Sequence, residues 1–240
     1  MCSAEVTTNT TPAALKPNEL LRVLGEVERE GAEALLNGAS RFYDFAKRIF
    51  DIVAGAVLLV LTMPIMTLTA LAIKMTSRGP IFFRQQRTGL NGRTFTMYKF
   101  RSMCSGAEDA RPILEKLNEN DGPAFKIKHD PRVTRIGRFL RRSSLDELPQ
   151  LINVLSGQMS LVGPRPLPVT EAKNVRGAGR MRTTVKPGLT CLWQISGRNE
   201  LTFQQWMHLD LYYIRHRSLL LDLAIIIQTI PAVLSAHGAY

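Results

Sequence analysis

The stretch IVAGAVLLVLTMPIMTLTALAI, residues 52–73, decides how this chain folds, because none of its residues carries a charge. As a helix it would be roughly 33 Å long, enough to cross the hydrocarbon core of a bilayer. The polar segment in front of it lacks the basic start of a cleavable signal peptide. A buried core helix of a soluble protein is the alternative, but the run is longer than such helices usually are. We therefore predict a membrane-inserted helix over residues 46–77.

Pro64 and the charges that flank this run argue against a simple crossing. Proline removes one helical hydrogen bond and clashes with the preceding turn. Basic residues lie on both sides of the run, namely Arg41, Lys47 and Arg48 before it and Lys74, Arg78, Arg84 and Arg87 after it. The positive-inside rule then favours the cytoplasmic face for both ends. We predict a re-entrant helix that breaks at Pro64 and returns, with a spanning helix as the alternative, since prolines also occur in those.

The rest of the chain divides around this helix. Residues 1–45 are predicted to be an N-terminal extension that is partly disordered, with one amphipathic helix between Pro17 and Asn37. Residues 78–240 are predicted to form a cytoplasmic catalytic domain. The expected fold class is α+β, a small and mostly helical domain with one short β-hairpin, anchored by the re-entrant helix and by interfacial amphipathic helices.

Short sequence signals support this fold. The runs 81–83 and 95–98 read as two strands joined across Leu90-Asn91-Gly92. Residues 135–142 predict a basic helix, and Thr202 is a candidate cap for a helix that runs towards His216. A last apolar helix is expected over residues 219–234, where aromatic and basic neighbours would suit either a membrane interface or an ordinary core.

The composition points to an anionic partner. The formal net charge is +11, which suits nucleic acid, an anionic membrane surface or a phosphorylated substrate. Aromatic residues make up 7% and are not interleaved with the basic ones as a nucleic-acid stacking platform would require. Composition alone leaves all three partners open, and taken with the motifs below we expect no nucleic-acid partner. The three cysteines and four histidines do not cluster. Any metal is therefore expected to be a hard cation on oxygen ligands.

The stretch SSLDELPQ, residues 143–150, carries the candidate chemistry. It places Asp146 and Glu147 among arginines, which suits a phosphorylated substrate: the arginines hold phosphate oxygens, and a carboxylate attacks phosphorus or binds a metal. A structural alternative is a capping box, with Ser144 as the N-cap and Glu147 reaching back to it. That motif uses one acid and leaves Asp146 available, and Pro149 disturbs the first helical turn.

Further basic residues complete the candidate site. Lys99 and Arg101 alternate with apolar residues, so a strand would project both to one face, although a solvated strand face is the alternative. Arg165 lies between Pro164 and Pro166, where a stiff backbone reduces the freedom lost on binding phosphate. A structural turn is the alternative there.

At these residues the sequence resembles the bacterial sugar transferases, the monotopic polyprenyl-phosphate phosphoglycosyl transferases. The resemblance covers about residues 46–240 in ordered blocks. The main blocks are Lys47-Arg48-Ile49-Phe50-Asp51, the apolar run with Pro64, Tyr98-Lys99-Phe100-Arg101-Ser102-Met103, Ser144 to Gln150, Gly163-Pro164-Arg165-Pro166 and Trp193-Gln194-Ile195-Ser196-Gly197-Arg198.

The resemblance implies a two-step reaction with Mg²⁺ as the cofactor. Asp146 would attack the sugar-bearing phosphorus of a UDP-sugar and release UMP, and polyprenol phosphate would then take the phosphosugar from the aspartate. Glu147 would bind Mg²⁺ or help to deprotonate the acceptor, with Asp146 as a second metal ligand. The implied phosphate-binding residues are Arg165, Arg141, Lys99 and Arg101. The implied location is the cytoplasmic face of the bacterial inner membrane, in surface-glycan assembly; a homo-oligomer is left open.

The chain departs from the family pattern in three places. Gln158 stands where the family commonly has Asp, Met63 stands where Ser often precedes the membrane proline, and the first 46 residues are unmatched. Two other functions remain: an ordinary glycosyltransferase that releases UDP, for which the sequence lacks an Asp-x-Asp motif, and a non-catalytic adaptor whose basic face binds anionic lipid.

Overall fold

The first element of the fold is a single long helix, α1, over Arg41–Thr76. The computed structural model describes residues 41–119, 122–125 and 127–235, so the amphipathic helix expected before Asn37 and the terminal Gly238-Ala239-Tyr240 lie outside the described residues. From Phe42 to Thr76 the helix is long and apolar enough to cross a membrane, with a mean hydropathy of 2.3 in its most apolar part. The helical assignment continues through Pro64, and re-entrant insertion stays a prediction.

The first half of α1 is fixed to the domain by polar contacts. Arg48 donates hydrogen bonds to the carbonyl oxygens of Val154 and Leu155, at 2.7 and 2.8 Å. Asp51 is buried and accepts a 2.9 Å hydrogen bond from the backbone N–H of Leu161. These contacts satisfy charged groups that would otherwise be costly to bury.

The second half of α1 is fixed by apolar contacts. Ile73 is fully buried in one cluster with Phe100 and Leu140. Near the proline, the hydroxyls of Thr62 and Thr67 donate to helix carbonyl oxygens at 2.7 and 3.0 Å. Both halves of the helix therefore pack against the same folded unit.

A β-hairpin follows the helix, as the sequence predicts. Strands β1 (Phe82–Thr88) and β2 (Thr94–Phe100) pair antiparallel, with Phe82 opposite Phe100. The turn between them needs left-handed backbone at Asn91 (φ 54°) and Gly92 (φ 75°), which Asn and Gly adopt readily.

The middle of the chain contains short elements. These are α2 (Arg111–Leu114), the basic helix α3 (Arg135–Arg142), a 3₁₀ turn over Leu145–Glu147, α4 (Gln150–Leu155) and β3 (Ser160–Val162). Helix α3 confirms the basic helix expected at these positions. Its N-cap is Thr134, whose side chain accepts a hydrogen bond from the N–H of Gly137 at 3.0 Å.

The last third begins with a feature that the sequence does not indicate. Strand β4 (Gly188–Thr190) pairs in parallel with β3 and forms a second small sheet. Gly163 and Gly188 make this possible, because a Cβ on either would overlap the backbone of the other segment. The remaining elements are α5 (Val169–Ala172), α6 (Leu192–Ile195), α7 (Phe203–His216) and α8 (Leu219–Leu234).

Helices α7 and α8 close the main core. The capping residue of α7 is Thr202, which forms a full capping box with Gln205, as expected. Helix α8 buries Asp222 and Ile225 and exposes an apolar stripe, namely Leu220, Leu223, Ile227, Ile230 and Leu234. The prediction of a mixed helical and β-stranded unit with one long apolar helix is confirmed.

Candidate active site

The two acidic residues lie on a strained turn between α3 and α4. Ser144 has φ 56° and ψ 14°, the left-handed conformation that is unfavourable for a non-glycine residue. Its side chain makes no capping hydrogen bond, so the capping box that was the structural alternative for this stretch is not formed. Asp146 and Glu147 are consequently not used to cap a helix, and both are buried, with 7% and 8% of their surface exposed.

Glu147 is the centre of an ionic cluster drawn from three elements. Its Oε1 lies 2.7 Å from the Nζ of Lys99, at the end of β2, and 2.6 Å from an Nη atom of Arg165, in the loop after β3. The second Nη of Arg165 donates to Oε2 at 3.3 Å. The neighbouring Asp146 carboxylate makes no hydrogen bond to the described residues.

The environment separates the two acids in pKa. Burial raises the pKa of Asp146 to about 6; the positive charge of Lys99 opposes this shift and the negative charge of Glu147 adds to it. Burial also acts to raise the pKa of Glu147, but the charges and hydrogen bonds of Arg165 and Lys99 outweigh it and hold that pKa well below its usual value. Glu147 is thus ionised and held by ion pairs, whereas Asp146 makes no ion pair at hydrogen-bond distance within the described part of the chain and has a pKa of about 6.

Arg141 reaches the same cavity from α3. Its Nε donates to the hydroxyl of Ser102 at 3.0 Å, and burial lowers the pKa of its guanidinium. The close approach of α3 to this segment depends on Gly137, because a Cβ there would overlap the carbonyl group of Ser102. Arg141 and Asp146 both line the cavity, so α3 and the turn after it present a cation and an open carboxylate together.

Arg101 has a structural role in addition to its place in the cavity wall. It follows the last residue of β2 and is 6% exposed. Its Nη atoms donate to the carbonyl oxygens of Arg78 and Ser77, at 2.8 and 3.0 Å, and to the Ser77 hydroxyl at 2.6 Å. The guanidinium therefore holds the segment that leaves α1, and these backbone contacts compete with any phosphate for its donors.

The cavity that contains these groups has a volume of about 570 Å³. The guanidinium of Arg165 lies over the ring of Trp193, with 5.4 Å to the centroid, and Trp193 stacks on Trp206 at 5.0 Å. Small-molecule sites commonly have volumes in this range. The cavity therefore combines an aromatic wall with several basic side chains and with the carboxylates of Asp146 and Glu147.

Sequence reasoning assigned no role to Arg198, which also lines the cavity. It is 5% exposed and has φ 52°, a strained backbone for arginine. Its Nε donates to the carbonyl oxygen of Gln194 at 3.2 Å, while one buried Nη has no hydrogen-bond partner among the described residues. The sequence does hint at a role for Arg198, because it follows Gly197 in the block Trp193 to Arg198, which matches the family pattern.

The unusual Gln158 has a clear structural role. Its Oε1 accepts a 2.7 Å hydrogen bond from the amide of Asn153, which is fully buried in α4. The same amide group of Asn153 donates to the carbonyl oxygen of Thr96 at 2.7 Å, and its oxygen accepts from the N–H of Tyr98 at 3.1 Å. Gln158 therefore supplies a hydrogen-bond acceptor, which a carboxylate could also supply, and among the described residues no basic side chain contacts it.

The acidic pair fits a metal ion that arrives with a substrate. The described residues contain no group of three or more Asp, Glu, His or Cys side chains that could hold a metal. Mg²⁺ is commonly bound by one or two carboxylates together with substrate phosphates. Asp146 has carboxylate oxygens without hydrogen bonds to the described residues, and from those residues Oε2 of Glu147 accepts one hydrogen bond, from Arg165 at 3.3 Å. These residues suit a diphosphate-bound cation better than a site built from protein alone.

Comparison with known proteins identifies the family. Residues 42–236 match the model of the bacterial sugar transferase family. The chain therefore belongs to that family, which confirms the resemblance seen in the sequence.

Several curated relatives are informative. The chain is 42% identical over 212 residues to an undecaprenyl-phosphate galactose phosphotransferase of Salmonella typhimurium, covering 85% of this chain and 44% of that protein. An undecaprenyl-phosphate glucose phosphotransferase of Komagataeibacter xylinus is 44% identical over 209 residues, covering 81% of this chain and 37% of the relative. The exopolysaccharide production protein ExoY of Rhizobium meliloti is 40% identical over 199 residues, covering 81% of this chain and 88% of ExoY. The chain thus spans less than half of the first two relatives.

Proposed function

We propose that this protein transfers a sugar 1-phosphate from a UDP-sugar to a polyprenol phosphate and releases UMP, as a membrane step of exopolysaccharide or other bacterial surface-glycan assembly. One observation carries the proposal: Asp146, a buried carboxylate without a hydrogen-bond partner in the part of the chain that the structure describes, lies next to an ionic cluster of Glu147, Arg165 and Lys99. The names of relatives that act with undecaprenyl phosphate support the lipid acceptor.

In the first step a carboxylate oxygen of Asp146 attacks the sugar-bearing phosphorus. The new bond is an acyl phosphate ester, and the bond between this phosphorus and the oxygen bridging to the second phosphate breaks, so that UMP leaves with the bonding electrons. In the second step an oxygen of polyprenol phosphate attacks the same phosphorus and restores the free aspartate. Asp146 suits this role because its oxygens are open and because it is largely ionised above its pKa of about 6.

The cations offset the repulsion between the negative groups that meet in both steps. Arg165 and Lys99 are held in place by Glu147, and Arg141 and Arg198 reach the same cavity. We assign them to the phosphates, with Arg101 as a weaker candidate because of its backbone contacts. Glu147 has a depressed pKa, so we assign it to orienting Arg165 and Lys99 rather than to removing a proton.

Asp146 and Glu147 would hold Mg²⁺ together with the diphosphate of the donor. When bound, this ion would neutralise charge on the leaving phosphate.

The contacts of α1 support re-entrant insertion. Leu59 in the first half and Met66 in the second half both pack against buried clusters of the domain. The residues between them, 60–65, rise only about 9 Å as a helix, whereas the hydrocarbon core is roughly 30 Å thick. A helix with both halves on one domain suits shallow insertion around Pro64, which would keep Asp146 near the headgroups of the acceptor lipid.

The test is the nucleotide product. Purified protein is incubated with single UDP-sugars, beginning with UDP-galactose and UDP-glucose, and with undecaprenyl phosphate. We expect UMP and a lipid-linked phosphosugar with one donor, and no product from Asp146→Asn. With donor alone, intact-mass measurement should show one phosphosugar added to the protein. Release of UDP, or an active Asp146→Asn variant, would overturn the proposal.

A further inference from the structure

Helix α3 has one face that the chemistry described above does not use. Its buried side packs through Leu140 against Ile73 of α1. Its exposed side carries three arginines and a phenylalanine, namely Arg135, Arg138, Phe139 and Arg142. Phe139 is 60% exposed, although phenylalanine is among the residue types most often fully buried.

The three arginines are not used within the domain. None of their side chains forms a hydrogen bond or an ion pair with the part of the chain that the structure describes. The adjacent Arg141 points elsewhere, to Ser102 and the cavity. Three unpaired guanidinium groups beside one exposed aromatic ring fit an anionic surface that also has an apolar layer beneath it. A bilayer of anionic lipids has both features, because arginine binds the phosphate groups and an aromatic side chain enters the interface.

The position of α3 supports the same partner. The helix packs on the second half of α1, the apolar helix whose other face is exposed. Exposed Lys74 and Arg78 lie at that end of α1. The basic face of α3 therefore adjoins the surface that the proposed function places at the membrane.

We propose that the exposed face of α3 docks on anionic phospholipid headgroups, with Phe139 inserted at the interface. Arg135, Arg138 and Arg142 bind the headgroup phosphates. Helix α3 ends at Arg142 and the turn with Asp146 follows directly, so this docking fixes the height of the nucleophile above the acceptor lipid. The surface is separate from the cavity, and its partner is the bulk lipid rather than the polyprenol substrate.

The test places an environment-sensitive fluorophore on α3. Phe139→Cys is labelled in a background with Cys2→Ser and Cys104→Ser, since Cys191 is buried. The full chain is reconstituted in nanodiscs of phosphatidylcholine, with or without phosphatidylglycerol, and brominated lipids serve as quenchers. We expect strong quenching only with phosphatidylglycerol, and weaker quenching at high salt because salt screens the charges.

Matched variants separate charge from other effects. The same label at Ile113→Cys, a position 81% exposed on α2, should not be quenched. Replacing the three arginines by glutamine should weaken quenching in phosphatidylglycerol nanodiscs, with the ratio of docked to undocked label falling on the order of fivefold for each arginine replaced. Replacement by lysine should retain docking. Two results would overturn the proposal. One is equal quenching of the labels at positions 113 and 139; the other is quenching at position 139 that changes neither with phosphatidylglycerol content nor with the glutamine substitutions.

This assay needs no substrate, so its outcome is independent of the proposed reaction. The glutamine variant should also form the aspartate adduct with donor alone as fast as the parent protein does. Its transfer to undecaprenyl phosphate should slow in phosphatidylglycerol nanodiscs. An equal loss in both half-reactions would show that the arginines act in the cavity and not at the lipid surface.

Discussion

An Nη atom of Arg165 lies 2.6 Å from Oε1 of Glu147, whereas the carboxylate of the adjacent Asp146 has no hydrogen-bond partner among the described residues. Two neighbouring acids thus have opposite environments. The ion pairs of Glu147 fix the direction of Arg165 and Lys99 before any ligand binds, and such preorganisation makes cations effective against charge that develops during reaction. In the proposed reaction the acid that takes no part in these ion pairs, Asp146, is the one that attacks phosphorus.

The first prediction concerns the pH dependence of this pair. If Asp146 must be ionised, kcat/KM should rise with pH and level off above an apparent pKa of about 6. The negative charge of Glu147 contributes to that raised pKa, so Glu147→Gln should move the rising limb to lower pH. The same change releases Arg165 and Lys99, and kcat should fall on the order of a hundredfold.

The measurement is initial UMP release across pH for the parent protein and for Glu147→Gln. Glu200→Gln is a control outside the ionic cluster and should leave the limb unchanged. Asp146 would be excluded as the ionising group if the rising limb of the pH profile stayed in place or moved to higher pH in Glu147→Gln.

The second prediction tests the support behind Lys99. Asn153 binds the backbone of β2 at Thr96 and Tyr98, two positions of the strand that ends next to Lys99. Asn153→Leu would leave those two backbone groups without their partner, at a cost of about 2 to 4 kcal/mol. We expect a lower thermal midpoint in detergent and a lower kcat, because Lys99 would lose its fixed position.

Gln158 provides the matched control for this prediction. Its side chain is exposed, and Gln158→Asp retains an acceptor for Asn153, so stability and activity should remain close to those of the parent protein. A large loss in Gln158→Asp would show that the amide itself is required. If the thermal midpoint and kcat of Asn153→Leu equal those of the parent protein, β2 is positioned by other contacts.

The local parts of the fold could be predicted from the sequence. The hairpin turn at Asn91-Gly92, the Thr202 cap and the basic helix α3 all depend on residues that are neighbours in the chain. Periodicity and turn chemistry report such features directly. The long apolar helix belongs to the same group, since only its length and lack of charge are needed.

Features that depend on distant contacts could not be predicted. The parallel pairing of β3 with β4 brings together segments about 28 residues apart in the chain. Their close approach requires two glycines, Gly163 and Gly188. Ser144 fits the pattern of a capping box but adopts left-handed backbone, in a turn that joins helices packed on opposite halves of α1. The pairing of Arg101 with the end of α1 likewise depends on tertiary structure alone.

The third prediction tests the close approach that places Arg141. In Gly137→Ala the added Cβ would overlap the backbone of Ser102, so α3 must shift. Overpacking of this kind typically costs about 1 to 3 kcal/mol. We expect lower stability together with a raised KM for the UDP-sugar, because Arg141 moves with its helix.

Gly55→Ala is the control glycine for this experiment. A Cβ there would lie 3.4 Å from a side-chain methyl of Leu155 in α4, an ordinary van der Waals contact between the two helices. The helix should gain about 0.5 to 1 kcal/mol from the better propensity of alanine. If Gly137→Ala were as well tolerated as Gly55→Ala, the packing of α3 on Ser102 would not be what positions Arg141.

The last prediction concerns the join between the two apolar helices. Asp222 of α8 is fully buried and accepts hydrogen bonds from Lys47, Tyr43 and Tyr213, at 2.7, 3.0 and 2.7 Å. Asp222→Ala leaves the ammonium of Lys47 without its partner, a change that costs about 3 to 5 kcal/mol at buried sites. The first half of α1 should then detach from α8, and its amide hydrogens should exchange faster in nanodiscs.

Asp44→Ala is the control. It removes the exposed ion pair with Arg217, which is worth at most about 1 kcal/mol, so amide exchange in α1 should change little. If the amide hydrogens of α1 exchange equally slowly in both variants, the apolar contacts of Ile73 and its neighbours are sufficient to hold the helix. Asp222 would then not determine how the membrane helix packs on the domain.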